Sequence, residues 1–423
     1  MAPATIELAP HFFRHESGRL VAVLVRLFGV HNLAMAEDVA QDTICRALEL
    51  WKIHGVPDNP AAWLMTTAKR RAIDVLRRQR TARTAAPELG RLLESEWTLV
   101  PTIDELFEPG AVRDDELRMM FSACQPQLSE EARIALVLHV SCGFSVEEIA
   151  AAFFSSVAAV EKRIARAKHT LAASRALFDL QDADLGARLG TVQSAIYFLF
   201  NEGYHGASPE SVVRDDLCRE ALRLVLLLCE HPLTGTPATH ALAALLFLHG
   251  SRLGARVNAE GRLRSLFEQD RSLWDKEMIA TGLRLLDRSA TGAELTEFHV
   301  EAAIAAHHAT ACQREDTPWA AIVALYDVLA QLRPSPVVAL SRAIAVAELH
   351  GPARGLAELD AIDGKQRLQG YPFYEATRGE LLLRMRRPEQ ARGHFAAAVA
   401  LARNPMERRF FQERADACGR DGS

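Results

Sequence analysis

The chain is poor in aromatic residues, at 7% of 423, and its seven cysteines (Cys45, Cys124, Cys142, Cys218, Cys229, Cys312, Cys418) form no CxxC pair. Scattered thiols of this kind argue against a disulfide frame or a zinc site and suit a reducing compartment. The opening stretch Met1–Glu16 lacks the charged-then-apolar order of a secretory signal. No apolar run approaches the ~18 residues of a membrane span. The expectation is a soluble, cytoplasmic protein that engages no membrane. A large charge of one sign is also missing, since 49 Lys and Arg face 54 Asp and Glu for a net −5. Contact with a polyanion must therefore come from local basic patches on an acidic remainder. With 49% hydrophobic residues, dominated by Ala and Leu, the chain has material for helical cores in two or three domains.

The most informative patch is Asn59–Arg80. Asn59-Pro60 is a helix start, with Asn as cap and Pro at the first helical position. Leu64, Ala68, Ala72, Val75 and Leu76 recur at helical spacing as one apolar stripe. Trp63, Arg70 and Arg77 follow at heptad spacing, which drifts by about 20° per heptad and keeps them on a second face. Arg71 and Arg78 flank that face, with Lys69 and Arg80 further round. Cations of this kind can track phosphates, and an indole can stack on an unpaired base for roughly 1–3 kcal/mol. A solvated basic face beside a half-buried Trp is the plainer alternative.

The rest of the N-terminal half is helical by the same criteria. Residues 5–30 carry Leu20, Val23, Leu24, Leu27 and Phe28 on one face. A second helix, Ala36–His54, has an apolar face of Val39, Ala40, Thr43, Ile44, Ala47, Leu48 and Trp51. Its other face carries Asp38, Gln41, Asp42, Cys45 and Glu49. Residues 81–113 mix prolines and glycines with acids and form a linker. A second helical unit occupies 114–175. In it Ser129 caps Glu130–Ser141, Cys142-Gly143 stops that helix, and Ser145 with Glu148 makes a capping box for the next. The helix Val157–Leu171 turns Val160, Ile164, Ala167 and Leu171 inward and Lys162, Arg163, Arg166 and Lys168 outward. Two helices across a tight turn, the second basic, describe a helix-turn-helix that reads a major groove.

Together these segments resemble a sigma-70 family factor of the extracytoplasmic-function type over roughly 11–175. The stretch 15–29 looks like the first helix of sigma region 2. In 36–51, Asp38, Gln41 and Asp42 fall at the D-x-x-Q-[DE] positions of the helix that docks on core RNA polymerase. The stretch 60–80 looks like the segment that opens the minus-ten element, and 128–168 looks like region 4, which reads the minus-thirty-five element. The resemblance implies that Asp38, Gln41 and Asp42 meet polymerase. It gives promoter DNA to Trp63, Lys69, Arg70, Arg71, Arg77, Arg78 and Arg80, and to Lys162, Arg163, Arg166 and Lys168. Trp63 either stacks on a base or packs under the loop that captures one. Neither cofactor nor metal is implied, and the protein is not expected to be an enzyme.

About 250 further residues follow. Thr191–Gly206 is an apolar helix ending in Asn201, Glu202, Tyr204 and His205. An active site there would need a second acid, a nucleophile or a Gly-rich loop, so a packing cluster is expected. His307 and His308 are adjacent on one helix and point different ways, which disfavours chelation. From 319 on, helical hairpins return with a period of 34–36 residues, the tetratricopeptide spacing, relating Tyr326 to Phe395 and Pro334 to Pro405. The expected fold is all-α: a region 2 bundle at 5–80, a region 4 helix-turn-helix at 114–175, and a tetratricopeptide-like body over 185–420 that offers a face to a protein partner. The whole chain is similar to sigma factors with such an extension, which the resemblance implies modulates activity in place of a membrane anti-sigma factor. The alternative is a helix-turn-helix regulator with a sensor domain that binds duplex without polymerase.

Overall fold

The computed structural model describes residues 10–29, 32–84, 109–153, 155–173, 182–205, 214–258 and 260–420. Among these the chain is helical, with one isolated antiparallel bridge between Val257 and Leu263. The chain divides into two units, Met1–Leu199 and Phe200–Ser423. Most of the linker expected at 81–113 lies outside the described residues. Its two ends are helical.

In the first unit α1 (Pro10–Phe28), α2 (Leu33–His54), α3 (Pro60–Thr84) and α4 (Pro109–Ala123) come first. Helices α5 (Glu130–Val140), α6 (Val146–Ala152) and α7 (Val157–Ala173) follow, and α8 (Asp182–His205) crosses the division. Helix α1 packs against α2, α3 and α4. That coverage corrects the expected single face. Val21, Ala22 and Val25 are as buried as Leu20, Val23 and Leu24, because α4 covers the side left open by the others. A helix apolar all round belongs in an interior.

Helix α3 starts where its sequence says, with the Asn59 side chain accepting the Ala62 N–H at 3.0 Å. Leu64, Ala68 and Ala72 are fully buried, and Val75 and Leu76 half-buried. On α2 the inward residues are Val39, Ala40, Thr43, Ala47 and Trp51. Leu48, expected among them, is 54% exposed and lies at the boundary of the stripe.

The second helical set holds its caps as the sequence demands. Ser129 accepts from the Ala132 N–H. Gly143 takes φ +66°, a left-handed value that stops α5. The Glu148 N–H donates to Ser145 Oγ at 3.2 Å, and the Ser145 N–H donates back to the Glu148 carboxylate at 2.9 Å. Val160, Ile164, Ala167 and Leu171 form the buried seam of α7. Inside this unit α1 also meets the α5–α6 corner. Arg14 donates twice to Glu148 at 3.0 Å and lies over the Phe144 ring at 5.2 Å.

The second unit runs from the end of α8 through α9 (Asp215–Glu230) and α10 (Pro237–Gly250) into a segment of short 3-10 turns around the Val257–Leu263 bridge. The remaining helices are α11 (Lys276–Ser289), α12 (Glu297–Thr310), α13 (Trp319–Leu332), α14 (Pro336–His350), α15 (Pro352–Asp360), α16 (Pro372–Arg384), α17 (Pro388–Leu401) and α18 (Pro405–Arg420). From α14 on they pair as hairpins through small residues. A Cβ at Gly355 would meet the Ala347 Cβ at 2.3 Å, and one at Gly379 would meet the Phe395 ring at 3.0 Å. Ala391, Phe395 and Ala398 are buried at the same seam. These are the small and aromatic positions at which hairpin repeats interlock.

Candidate nucleic-acid and polymerase interface

Helix α2 turns Asp38, Gln41 and Asp42 to solvent, and Cys45 and Glu49 continue the same exposed face. Leu48 extends it with an exposed apolar side chain, although its spacing fits the core stripe of α2. Positions 41, 45 and 48 follow helical spacing, so the residue was legible on either face. Burial decides, because none of the described residues of the unit covers it.

Helix α3 exposes Arg70, Arg77 and Arg78, while Lys69 and Arg71 are half-buried. The Arg80 side chain lies outside the described residues. Trp63 is half-buried, edge-on to Trp51 with centroids 5.3 Å apart, and Trp51 in turn leans on Phe13 at 5.7 Å. The indole is therefore packed on Trp51 while remaining partly exposed. Arg71 ion-pairs with Asp42 of α2. A residue expected to meet DNA is thus joined to one expected to meet polymerase.

On α7, Lys162 and Arg166 are exposed. Arg163 is half-buried, paired with Glu131 at 2.9 Å and lying 6.0 Å from the Phe153 ring centroid. Lys168 corrects the expectation that it faces outward. Its Nζ donates to both oxygens of Glu37 on α2, at 2.7 and 2.8 Å. The reason is its place one turn after Ile164 and beside Ala167, at the margin of the buried seam rather than opposite it. His139 stands near the same carboxylate, at 3.9 Å, and its Nδ1 is 2.9 Å from the Phe144 carbonyl. Burial, reinforced by the Lys168 charge, holds the His139 pKa below the usual imidazole value, against the pull of the Phe144 carbonyl and Glu37.

Of the polar and aromatic residues at the end of α8, Tyr204 is part of the packed interior. Tyr204 is buried, stacked on Phe200 at 5.7 Å, with the Arg256 guanidinium 3.9 Å from its ring centroid. The side chain of His205 lies outside the described residues. His308 is half-buried, edge-on to Trp319, and burial beside Arg252 and Arg271 lowers its pKa to about 3. Among the described residues no three His, Cys, Asp or Glu gather to hold a metal, and no helix is long and apolar enough to cross a membrane.

Residues 12–82 match the sigma-70 region 2 family and residues 118–171 the sigma-70 region 4 family. Residues 188–290 match a family of unknown function, DUF6596. The chain is 40% identical over 400 residues to a protein of Rhizobium meliloti (strain 1021) named "Uncharacterized protein R00370", covering 94% of this chain and 92% of that one. No solved structure matches. Regions 2 and 4 occur in their proper order here, and α3 and α7 carry basic residues at their surfaces; the chain belongs to the sigma-70 family, in a form with a helical C-terminal extension.

Proposed function

We propose that the protein is a sigma factor of the extracytoplasmic-function type, which directs core RNA polymerase to its promoters and is regulated by its own C-terminal extension. Asp38, Gln41, Asp42 and Leu48 on α2 are the surface that meets polymerase. Arg70, Arg71, Arg77 and Arg78, with Lys69, Arg80 and Trp63, follow the promoter strands as they separate, and Lys162, Arg163 and Arg166 meet the upstream element. The domains assigned to these roles are 5–80 and 114–175, joined by 81–113, with 185–420 as the regulatory body that meets a protein partner in the cytoplasm. The work is recognition and strand capture rather than covalent chemistry.

The observation that carries this reading is the division of the α2–α3 hairpin into an acidic, partly apolar outer face and a basic face beside a half-open indole. A basic partner helix and a polyanion are the complements of those two faces. Purified protein mixed with core polymerase is expected to start transcription from a cognate promoter and to be retained by core enzyme in a pull-down. Tight duplex binding without polymerase, and no retention by core enzyme, would instead make it a free-standing regulator. Deleting 180–423 then separates the roles of the extension: a hyperactive truncation makes it a brake, an inert one an activator.

A further inference from the structure

Phe198 lies outside the region 4 match and inside the 188–290 match, yet its ring rests on the helix-turn-helix. It belongs to α8, whose buried stripe is Leu185, Leu189, Val192 and Ile196. Phe198 stands two residues past Ile196, about 200° round the helix from it, and is 38% exposed. Core filling does not account for a ring on that side. The ring stacks on Phe153, with centroids 5.7 Å apart and planes 26° from parallel. About 15 Å back along the same helix, Arg188 donates to the Phe121 carbonyl of α4 at 3.1 Å. The first helix of the extension is thus fastened, within the first unit, to the helical set of 114–175 at two points.

Phe153 occupies the turn between α6 and α7. Its N–H donates to the Ile149 carbonyl at 3.0 Å, and the Ser155 N–H returns to the Ala150 carbonyl at 2.9 Å. Ser156 Oγ then caps α7 by accepting from the Ala159 N–H at 3.3 Å. The turn that carries this ring therefore sets the entry of α7. The same ring lies beneath Arg163, whose guanidinium is 6.0 Å from its centroid. Glu131 also holds Arg163, at 2.9 Å, but this carboxylate is 66% exposed, so the pair is weak and exchanges readily for another anion. The ring contact does not compete with an anion. A guanidinium resting on an aromatic face keeps its N–H donors in its own plane, available to a guanine edge or a phosphate.

We propose that Phe198 is a positioning residue for promoter reading: by stacking on Phe153 it fixes the α6–α7 turn and the Arg163 guanidinium, and so couples the extension to recognition of the upstream element. Contact runs from Phe198 to Phe153 to Arg163, and its first member belongs to the extension while its last belongs to the reading helix. Movement of α8 is felt at the upstream element and not at the docking face of α2. This coupling rests on the reading of α7 as the helix that meets that element.

Core polymerase loaded with the full-length chain is used to select promoters from a randomised duplex library, and the enriched sequences are scored separately at the two elements. Phe198→Ala is expected to reduce discrimination at the upstream element by about two- to tenfold, the range of one aromatic pair, and to leave selection at the minus-ten element and retention by core enzyme unchanged. Phe198→Tyr, which keeps the ring, is expected to match the wild type. Phe198→Leu, which keeps apolar bulk without a ring face, is expected to behave as Phe198→Ala does. Full selectivity with Phe198→Leu reduces the contact to plain packing and overturns the proposal, as does equal loss at both elements. Should Phe198→Ala melt early, the Tyr and Leu variants, which both fill the site, decide the outcome. Arg163→Ala tests the underlying reading. If it leaves upstream selection unchanged, the assignment of α7 falls and the coupling with it. If it abolishes that selection while Phe198→Ala leaves it intact, the coupling alone is overturned.

Discussion

Gly18 offers the sharpest test of the packing inside the first unit. A Cβ at this position of α1 would sit 2.2 Å from the Ser141 carbonyl oxygen at the end of α5. That oxygen belongs to backbone, so no rotamer change relieves the clash, and overpacking of this kind costs about 1–3 kcal/mol. The available relief is retreat of the α5–α6 corner from α1. Retreat by an ångström stretches the two Arg14–Glu148 hydrogen bonds beyond bonding length from their present 3.0 Å. Hydrogen bonds to charged groups contribute about 1.5–3 kcal/mol, and this pair is only 14% and 22% exposed. Since retreat relieves the clash at the cost of these bonds, Gly18→Ala costs roughly 1.5–3 kcal/mol at this seam, on the order of 10- to 150-fold in the equilibrium between apposed and separated helical sets. Each set keeps its own core, so separation is cheaper than unfolding. Spin labels on Cys45 of α2 and on an introduced cysteine at His169 of α7, with Cys312→Ser to silence the other exposed thiol, report the distance by pulsed EPR. Gly18→Ala is expected to add a longer-distance population. Gly186→Ala, which has nothing within 4 Å of its Cβ, is expected to leave the distribution unchanged. An unaltered distance distribution and melting curve for both Gly18→Ala and Gly18→Leu would refute the reasoning.

Asp38→Lys with Asp42→Lys breaks the exposed Asp42–Arg71 pair, whose partners are 60% and 34% exposed, so stability is expected to change by less than about 1 kcal/mol. Binding to core polymerase is expected to fall by about tenfold or more, and unchanged binding in a titration with core enzyme discards the docking face. His308 takes up a proton near pH 3 in the folded protein but near the usual imidazole value when unfolded, so the unfolded state binds more protons between those values. Stability is thus expected to fall as pH drops below about 6.5, by up to about 1.4 kcal/mol per pH unit from this group, and His308→Asn is expected to flatten that slope in urea melts at pH 7 and pH 5. Cys45 and Cys312 are exposed and are expected to react promptly with a disulfide reagent, while Cys124 and Cys229, pushed up to about 12 by burial, wait for unfolding. Prompt reaction of more than these two thiols in a folded sample counts against the burial described here.

What the sequence made legible was local. Asn59 as cap, Gly143 as stop and the Ser145–Glu148 box are each set by residues within a few positions, and each forms as read. The stripe of Leu64, Ala68 and Ala72 was equally plain, because one face of one helix carries it. The misreadings arose where a second element decides. Leu48 fits the apolar period of α2 and also its outer face, and none of the described residues covers it. Val21 and Val25 are interior because α4, some ninety residues later, closes over α1. Lys168 was assigned to solvent by its charge, yet its partner Glu37 lies 131 positions away, and Arg14 finds Glu148 at a separation of 134. Periodicity carries no information about pairs at that range. The segment 260–275 is a harder case, since three-residue turns have no period at all and its partners, Arg414, Arg314 and the backbone that Arg271 reaches at His308 and Ala311, lie elsewhere in the chain. The charged faces of α2 and α3, by contrast, were visible in the sequence because charge at helical spacing is a local pattern carried by one helix. The connections between α1, α2 and the second helical set were invisible because ion pairs across a fold leave no spacing to read. Any account of how this family member is held or released must therefore be argued from Arg14, Glu148, Glu37 and Lys168 in three dimensions, and the Gly18 variant is the perturbation that reaches them without touching either expected binding face.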